Sequence, residues 1–257
     1  MHGLKLSRLL CIFLLAFAFF AARAEEAPPN PHAAQAKPIG GDPASHLPPD
    51  SVTQHTITLG GQQLTYKAMA GTLPLFGAKG EIAAKIFYVS YVLDNAPARP
   101  VTFAFNGGPG ASAAFLHMGA IGPRVVPFTE NGAEPVLPVE LTDNADSWLA
   151  FTDLVFVDPV GTGYSRAATG GEDGEHAFWG VDKDADSITE FVNLYLARNG
   201  RELAPVYLAG ESYGGFRAAL LSDRLLADGV QVKGAIMISP ALEFSMIRDG
   251  DLTLLPL

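Results

Sequence analysis

The chain has 257 residues, 48% of them hydrophobic and 17% charged, and a formal net charge of −10. That is enough apolar material for one sizeable core, so a single main domain is the expectation. The acidic balance, without a basic cluster or metal-ligand spacing, excludes nucleic acid and anionic membrane surfaces as expected partners and calls for no cofactor and no metal.

In chain order, Lys5 and Arg8 precede an apolar stretch over 9–22, and Ala22-Arg23-Ala24 closes it before Glu25-Glu26. This is the pattern of a secretory signal peptide over 1–24, too short for a membrane span. It predicts a secreted or periplasmic protein that leaves the membrane on cleavage. The lone cysteine, Cys11, lies inside it, so no disulfide is expected afterwards. Residues 25–50, with Pro28-Pro29-Asn30-Pro31 and Pro48-Pro49, read as a disordered Pro/Ala-rich linker. The folded part is then 51–257. Runs at 53–59 and 63–69 flank Gly60-Gly61, a hairpin signal. Residues 85–93 read as a further strand, leading to 101–105.

Two β-prone runs then end in glycine-rich loops, Asn106-Gly107-Gly108-Pro109-Gly110-Ala111-Ser112 and Asp158-Pro159-Val160-Gly161-Thr162-Gly163-Tyr164-Ser165. Loops at the carboxyl ends of strands are where open α/β sheets bind ligands. Neither loop has a phosphate-binding glycine pattern. Between the second loop and the next strand, Val181, Ala185, Ile188, Phe191, Val192 and Tyr195 recur at helical spacing and predict a helix over 182–197. Residues 205–209 read as a strand and 215–226 as an amphipathic helix. Between them stands Gly210-Glu211-Ser212-Tyr213-Gly214, the G-x-S-x-G elbow of the α/β-hydrolases. In such an elbow the serine occupies a strained turn, small neighbours let strand and helix approach, and the helix N-terminus offers N–H groups to a developing oxyanion. Residues 232–239 predict the next buried parallel strand. The expected fold is α/β: an antiparallel hairpin first, then a mostly parallel sheet flanked by helices on both faces.

The histidines are His2, His32, His46, His55, His117 and His176, and all precede Ser212. The elbow hydrolases place the triad in the order Ser, Asp or Glu, His. No histidine follows Ser212 to serve as the base. His117, among Phe115, Leu116 and Met118, reads as a packed or partly exposed helical residue. Asp223 and Asp228 read as solvated, and Asp249 and Asp251 have no histidine to orient.

The three blocks together resemble the serine carboxypeptidases, the peptidase S10-like branch of the α/β-hydrolases, over roughly 85–240. Asn106–Ser112 resembles the family's N-G-G-P-G-C-S, Ser147-Trp148 with the 158–165 loop its S-W…D-Q-P-V-G-x-G-[FY]-S, and 210–214 its G-E-S-Y-[AG]-G. The resemblance implies Ser212 as nucleophile and the N–H groups of Gly108 and Tyr213 as oxyanion hole. It implies Asn106, Glu211 and the N–H of Gly107 as binders of the substrate's C-terminal carboxylate. A carboxylate binding a carboxylate must share a proton, which suits acidic working pH. The implied activity is proteolysis at a peptide or protein C-terminus through an acyl-enzyme. Three positions depart from the pattern. Ala120, in Ala120-Ile121-Gly122-Pro123, stands where the family has a second carboxylate-binding glutamate; Ala111 replaces a cysteine; the glutamine before Pro159 is missing. With no disulfide framework, the chain is more similar to a bacterial member than to eukaryotic ones. Without a later histidine it reads as the N-terminal part of such a protein, lacking its C-terminal strands, and no proficient triad is expected of it alone. An esterase or acyltransferase on the same machinery, and a catalytically dead fragment or binding module, stay open as alternatives.

Overall fold

The computed structural model describes residues 47–96, 99–128, 138–170 and 172–243. The leader, nearly all of the linker, Asp249 and Asp251 lie outside them. Strands β1 (Ser51–Leu59) and β2 (Gln62–Phe76) form the expected hairpin around Gly60 and Gly61, whose φ angles of 56° and 79° favour residues without a Cβ. β2 runs beyond the expected 69 because β3 (Ile82–Leu93) pairs with it from Tyr66↔Leu93 to Phe76↔Ile82.

β4 (Val101–Phe105) is followed by a short turn α1 (Ala114–Leu116), continuing as a π-turn over His117–Ile121. A two-stranded ribbon, β5 (Arg124–Val125) with β6 (Thr142–Asp143), precedes a 3₁₀ turn at Trp148–Ala150. Ser147 caps that turn, its side chain accepting from Leu149 N. Then come β7 (Asp153–Val157), β8 (Arg166–Ala167), α2 (Glu172–His176), α3 (Val181–Arg198), β9 (Val206–Glu211), α4 (Tyr213–Ala227) and β10 (Val232–Ile238).

The main sheet has the order β1-β2-β3-β7-β4-β9-β10, with β8 on β3. Its first half is antiparallel, and β7, β4, β9 and β10 run parallel. The central strands are buried on both faces, so their side chains divide by alternation. Phe103 and Phe105 of β4, Val155 and Val157 of β7, and Val206 and Leu208 of β9 join one core with α3 and α4. Ala104, Leu154, Phe156 and Ala209 join the other, under α1, Ile121 and Leu149. Helices α3 and α4 thus cover one face, while short turns cover the other. Phe103 meets Phe191 and Tyr195 edge-on at 6.4 and 5.4 Å, which fixes α3 against the strand.

The strand at 232–239 needs a correction. It is parallel to β9, as expected, but it is not buried: Met237 is 45% exposed and Ile236 nearly as much. Among the described residues β10 pairs with β9 alone, so it forms the sheet edge and its apolar side chains meet solvent.

At the amino ends of the parallel strands, Asp153 is 1% exposed and lies between two guanidinium groups, Arg99 Nε at 3.2 Å and Arg201 Nη1 at 2.7 Å. Arg99 also donates to Leu149 O at 2.6 Å, and Arg201 to Arg99 O. The cluster ties together the chain entries to β4, β7 and β9.

Candidate active site

β4 lies between β7 and β9, and its outgoing connection leaves toward β7 while that of β9 leaves toward β10. This is the topological switch point, where a crevice opens beyond the carboxyl ends of the strands. The register places chemistry there. Phe105 pairs with Gly210, so the next residues, Asn106 and Glu211, emerge side by side, and Asn106 Nδ2 donates to Glu211 Oε2 at 3.2 Å. Ala104 pairs with Phe156, which brings Asp158 to the other flank of Asn106. Asn106 is 2% exposed, and its Oδ1 accepts from Leu116 N at 3.0 Å. Its side chain therefore joins the loop after β4 to the end of β9.

Ser212 follows with φ 56° and ψ −121°, outside the regions an L-residue ordinarily adopts. Such backbone costs on the order of 1–3 kcal/mol and persists only where its surroundings hold it. They do so here: Ser212 N donates to Ile238 O at 2.9 Å, and Ser212 O accepts from Gly215 N at 3.0 Å and Ala241 N at 3.1 Å. Close approach explains the glycines. A Cβ on Gly210 would stand 1.9 Å from Gly214 O, so only glycine lets β9 turn into α4. A Cβ on Gly107 would stand 2.7 Å from Tyr213 N and 2.8 Å from Ser212 Cβ, so the loop after β4 lies directly on the elbow. Among the described residues nothing accepts from the N–H of Gly107 or of Gly108. Gly107 is buried, and a buried N–H without a partner is rare.

The second glycine-rich loop is locked to the first by Asp158. Its Oδ1 accepts from Ala113 N at 2.9 Å and its Oδ2 from Tyr164 N at 3.3 Å, while burial pushes its carboxyl above the usual range. Ser165 Oγ donates to Asp158 O at 2.6 Å and accepts from Phe87 N at 2.7 Å, fastening the loop to β3. Beside the elbow lies a cavity of about 610 Å³ whose walls include Pro109, Val160, Phe178, Trp179 and Tyr213.

Arg217 on α4 went unremarked in the sequence. It is 1% exposed, grips Asp184 of α3 through Nε at 2.7 Å and Nη2 at 3.1 Å, and donates from Nη1 to Asn106 O at 3.0 Å. Its guanidinium lies 5.0 Å from the ring centre of Tyr213 and 5.9 Å from that of Phe105. The signal was present: Tyr213, Arg217, Leu221 and Leu225 share one buried stripe of α4, and Asp184, Ile188 and Phe191 one stripe of α3. Opposite charges on two apolar stripes announce a buried pair.

The described histidines are occupied elsewhere. His117 bonds Tyr91 Oη through Nε2 at 2.6 Å and stacks on Phe156 at 4.5 Å, and burial lowers its pKa to about 4. It is the packed residue expected. His55 bonds Thr53 Oγ1, and His176 lies against Trp179. Among the described residues no histidine bonds Ser212. Ala120 sits exposed on the π-turn, its carbonyl accepting from Asn144 Nδ2 at 2.7 Å. Asp223 and Asp228 are exposed, as expected.

A family model described as "Serine carboxypeptidase" matches residues 61–245. A pheromone-processing carboxypeptidase KEX1 of Cryptococcus gattii is 34% identical over 169 residues, covering 61% of this chain and 23% of that protein. A serine-type carboxypeptidase F of Aspergillus niger is 26% identical over 190 residues, covering 70% of this chain and 32% of that one. The chain thus spans less than a third of the length of either. The crystal structure of a prohormone-processing carboxypeptidase, Kex1Δp of Saccharomyces cerevisiae, superposes with a TM-score of 0.55 at 22% identity, over 66% of this chain and 38% of that one. That match identifies the α/β-hydrolase-type sheet flanked by helices.

Proposed function

The chain belongs to the serine carboxypeptidase family, and from that premise we propose that it carries the nucleophile and the carboxylate-binding residues of an enzyme that releases C-terminal residues from peptides. Ser212 Oγ attacks the scissile carbonyl and gives up its proton to a base. The oxyanion takes hydrogen bonds from the N–H groups of Gly108 and Tyr213, and the helix N-terminus behind Ser212 favours the negative charge. The intermediate collapses to an acyl-Ser212, the protonated amine of the last residue leaves, and water releases the acid. The free carboxylate of that last residue is held by Asn106 Nδ2, by the N–H of Gly107 and by a proton shared with Glu211. The base is a group that none of the described histidines supplies. The signal-peptide pattern over 1–24 supports a secreted or periplasmic protein, and the absence of cysteine from residues 25–257 supports a bacterial type.

The observation that carries this reading is the junction of loop and elbow: Asn106 bonded to Glu211, and Gly107 packed on Ser212 and Tyr213. Its test is covalent labelling of the full-length protein with a fluorophosphonate. Labelling is expected in the native protein and lost in Ser212→Ala; a folded native protein that does not label removes the catalytic reading and leaves a binding module. Ala120 favours a second reading, an esterase or acyltransferase, since one carboxylate-binding acid is absent. Peptides with free and amidated C-termini separate the two: a carboxypeptidase cleaves the free form, and indifference to the amide removes the exopeptidase assignment.

A further inference from the structure

We infer that Arg217, held by Asp184, is a positioning residue that aims the N–H of Gly107 at the substrate's carboxylate. The inference rests on the carboxylate site proposed above. Arg217 Nη1 donates to the carbonyl oxygen of Asn106 at 3.0 Å. That carbonyl and the N–H of Gly107 belong to one peptide unit, and in a trans peptide the two point in opposite directions. The only cis peptide among the described residues is Gly108–Pro109, so the unit between Asn106 and Gly107 is trans. Fixing the oxygen from the α4 side therefore fixes the N–H on the other side. That N–H is buried and has no acceptor among the described residues. A buried donor left open costs free energy until a ligand fills it.

The guanidinium is suited to this role. Asp184 engages Nε and Nη2 in a two-pronged grip, which sets the plane of the fork and leaves Nη1 directed at Asn106. The rings of Phe105 and Tyr213 flank it, so it cannot swing. Packing alone would be served as well by apolar side chains, because burying an ion pair gains little over a hydrophobic replacement. Orientation of one peptide plane is what the pair adds. Asn106 is then fixed on both its functional groups: its side chain by Leu116 N and Glu211, its carbonyl by Arg217.

The test is a double variant of the full-length protein, Arg217→Met with Asp184→Leu, which removes the donor without leaving a buried charge unpaired. Loss of one aimed hydrogen bond to a carboxylate is expected to raise KM for a peptide with a free C-terminus about 10- to 100-fold, with kcat within about threefold. The amidated peptide, which does not use that bond, should keep its kcat/KM within about threefold, and fluorophosphonate labelling of Ser212 should keep its rate. If free and amidated peptides lose equally, or neither changes, Arg217 is structural only and the inference fails. If the native protein itself does not prefer the free carboxylate, the carboxylate site fails first, and this inference with it. Should the double variant not fold, Asp184→Asn decides: it keeps the volume and the arginine but loosens the grip, and a KM rise of about threefold confined to the free peptide is expected.

Discussion

Two buried arginine–carboxylate clusters sit at opposite ends of the same parallel strands. At the amino ends Asp153 is shared by Arg99 and Arg201, whose further donors reach the carbonyls of Leu149 and Arg99. At the carboxyl ends Asp184 holds Arg217, whose further donor reaches Asn106 O. The ion pairs are chemically alike, and in each one partner is 1% exposed. They differ in what the spare guanidinium proton touches. Below the sheet it fastens chain entries far from any chemistry. Above it, it fastens a peptide unit whose other side faces the proposed site. A buried salt bridge is weak evidence for stability in itself; here its meaning comes from its third partner.

The two clusters should respond differently to substitution. The largest effect is expected from Asp153→Ala, which leaves two buried guanidinium groups without their counter-charge. Urea unfolding should show a loss of about 3–5 kcal/mol, while the molecules that remain folded label at Ser212 at the native rate. A slowed labelling rate would mean that the lower cluster also reaches the site.

Next comes acid. Burial keeps the His117 ring neutral with a pKa near 4, while in the unfolded chain it titrates near 6.5. Between those values the unfolded state binds more protons, so stability falls as pH drops through the window, by about 3 kcal/mol at its lower end. Asp158, whose carboxyl burial raises, works in the opposite sense and costs stability as pH rises. Comparing native protein with His117→Gln isolates the histidine: the variant should lose most of the slope between pH 6.5 and 4, and an unchanged slope would assign it elsewhere.

Gly107→Ala probes the carboxyl-end site directly. Its Cβ would press on Tyr213 N and Ser212 Cβ, at a stability cost of about 1–3 kcal/mol. Labelling should fall far more than stability does, because the displaced group is the elbow itself. The smallest effect is expected from Arg198→Ala, which loses an exposed pair with Asp50. Thermal unfolding should register no more than about 1 kcal/mol, and labelling nothing.

The hairpin, the central strands, α3, α4 and the elbow were legible because each has a strong local pattern: Gly60-Gly61 between alternating runs, apolar residues at helical spacing, a serine between glycines. The pairing of Asn106 with Glu211 was legible only through resemblance, since 105 residues separate them and the register that joins them is tertiary. The exposure of β10 was legible only through the resemblance, in which further strands follow it, and not from the strand's own residues. Val232–Ile238 is as apolar as a buried strand, but among the described residues it pairs with β9 alone, which composition does not record. Arg217 was missed, and Asp158 was read only as the first residue of its loop, for a related reason: a charged residue in an apolar context reads locally as an exception, and its partners sit on other elements.

The arrangement of Asp158, Asn106 and Glu211 on three adjacent parallel strands has an evolutionary corollary. Neighbouring strands lie about 4.8 Å apart whatever side chains they carry, so the distance across this row is set by backbone hydrogen bonds. Mutation can exchange the chemistry at each station but cannot respace the stations. Descendants of this scaffold that acquire new substrates must do so by remodelling loops, such as the segment bearing Phe178 and Trp179, while the ruler beneath stays the same.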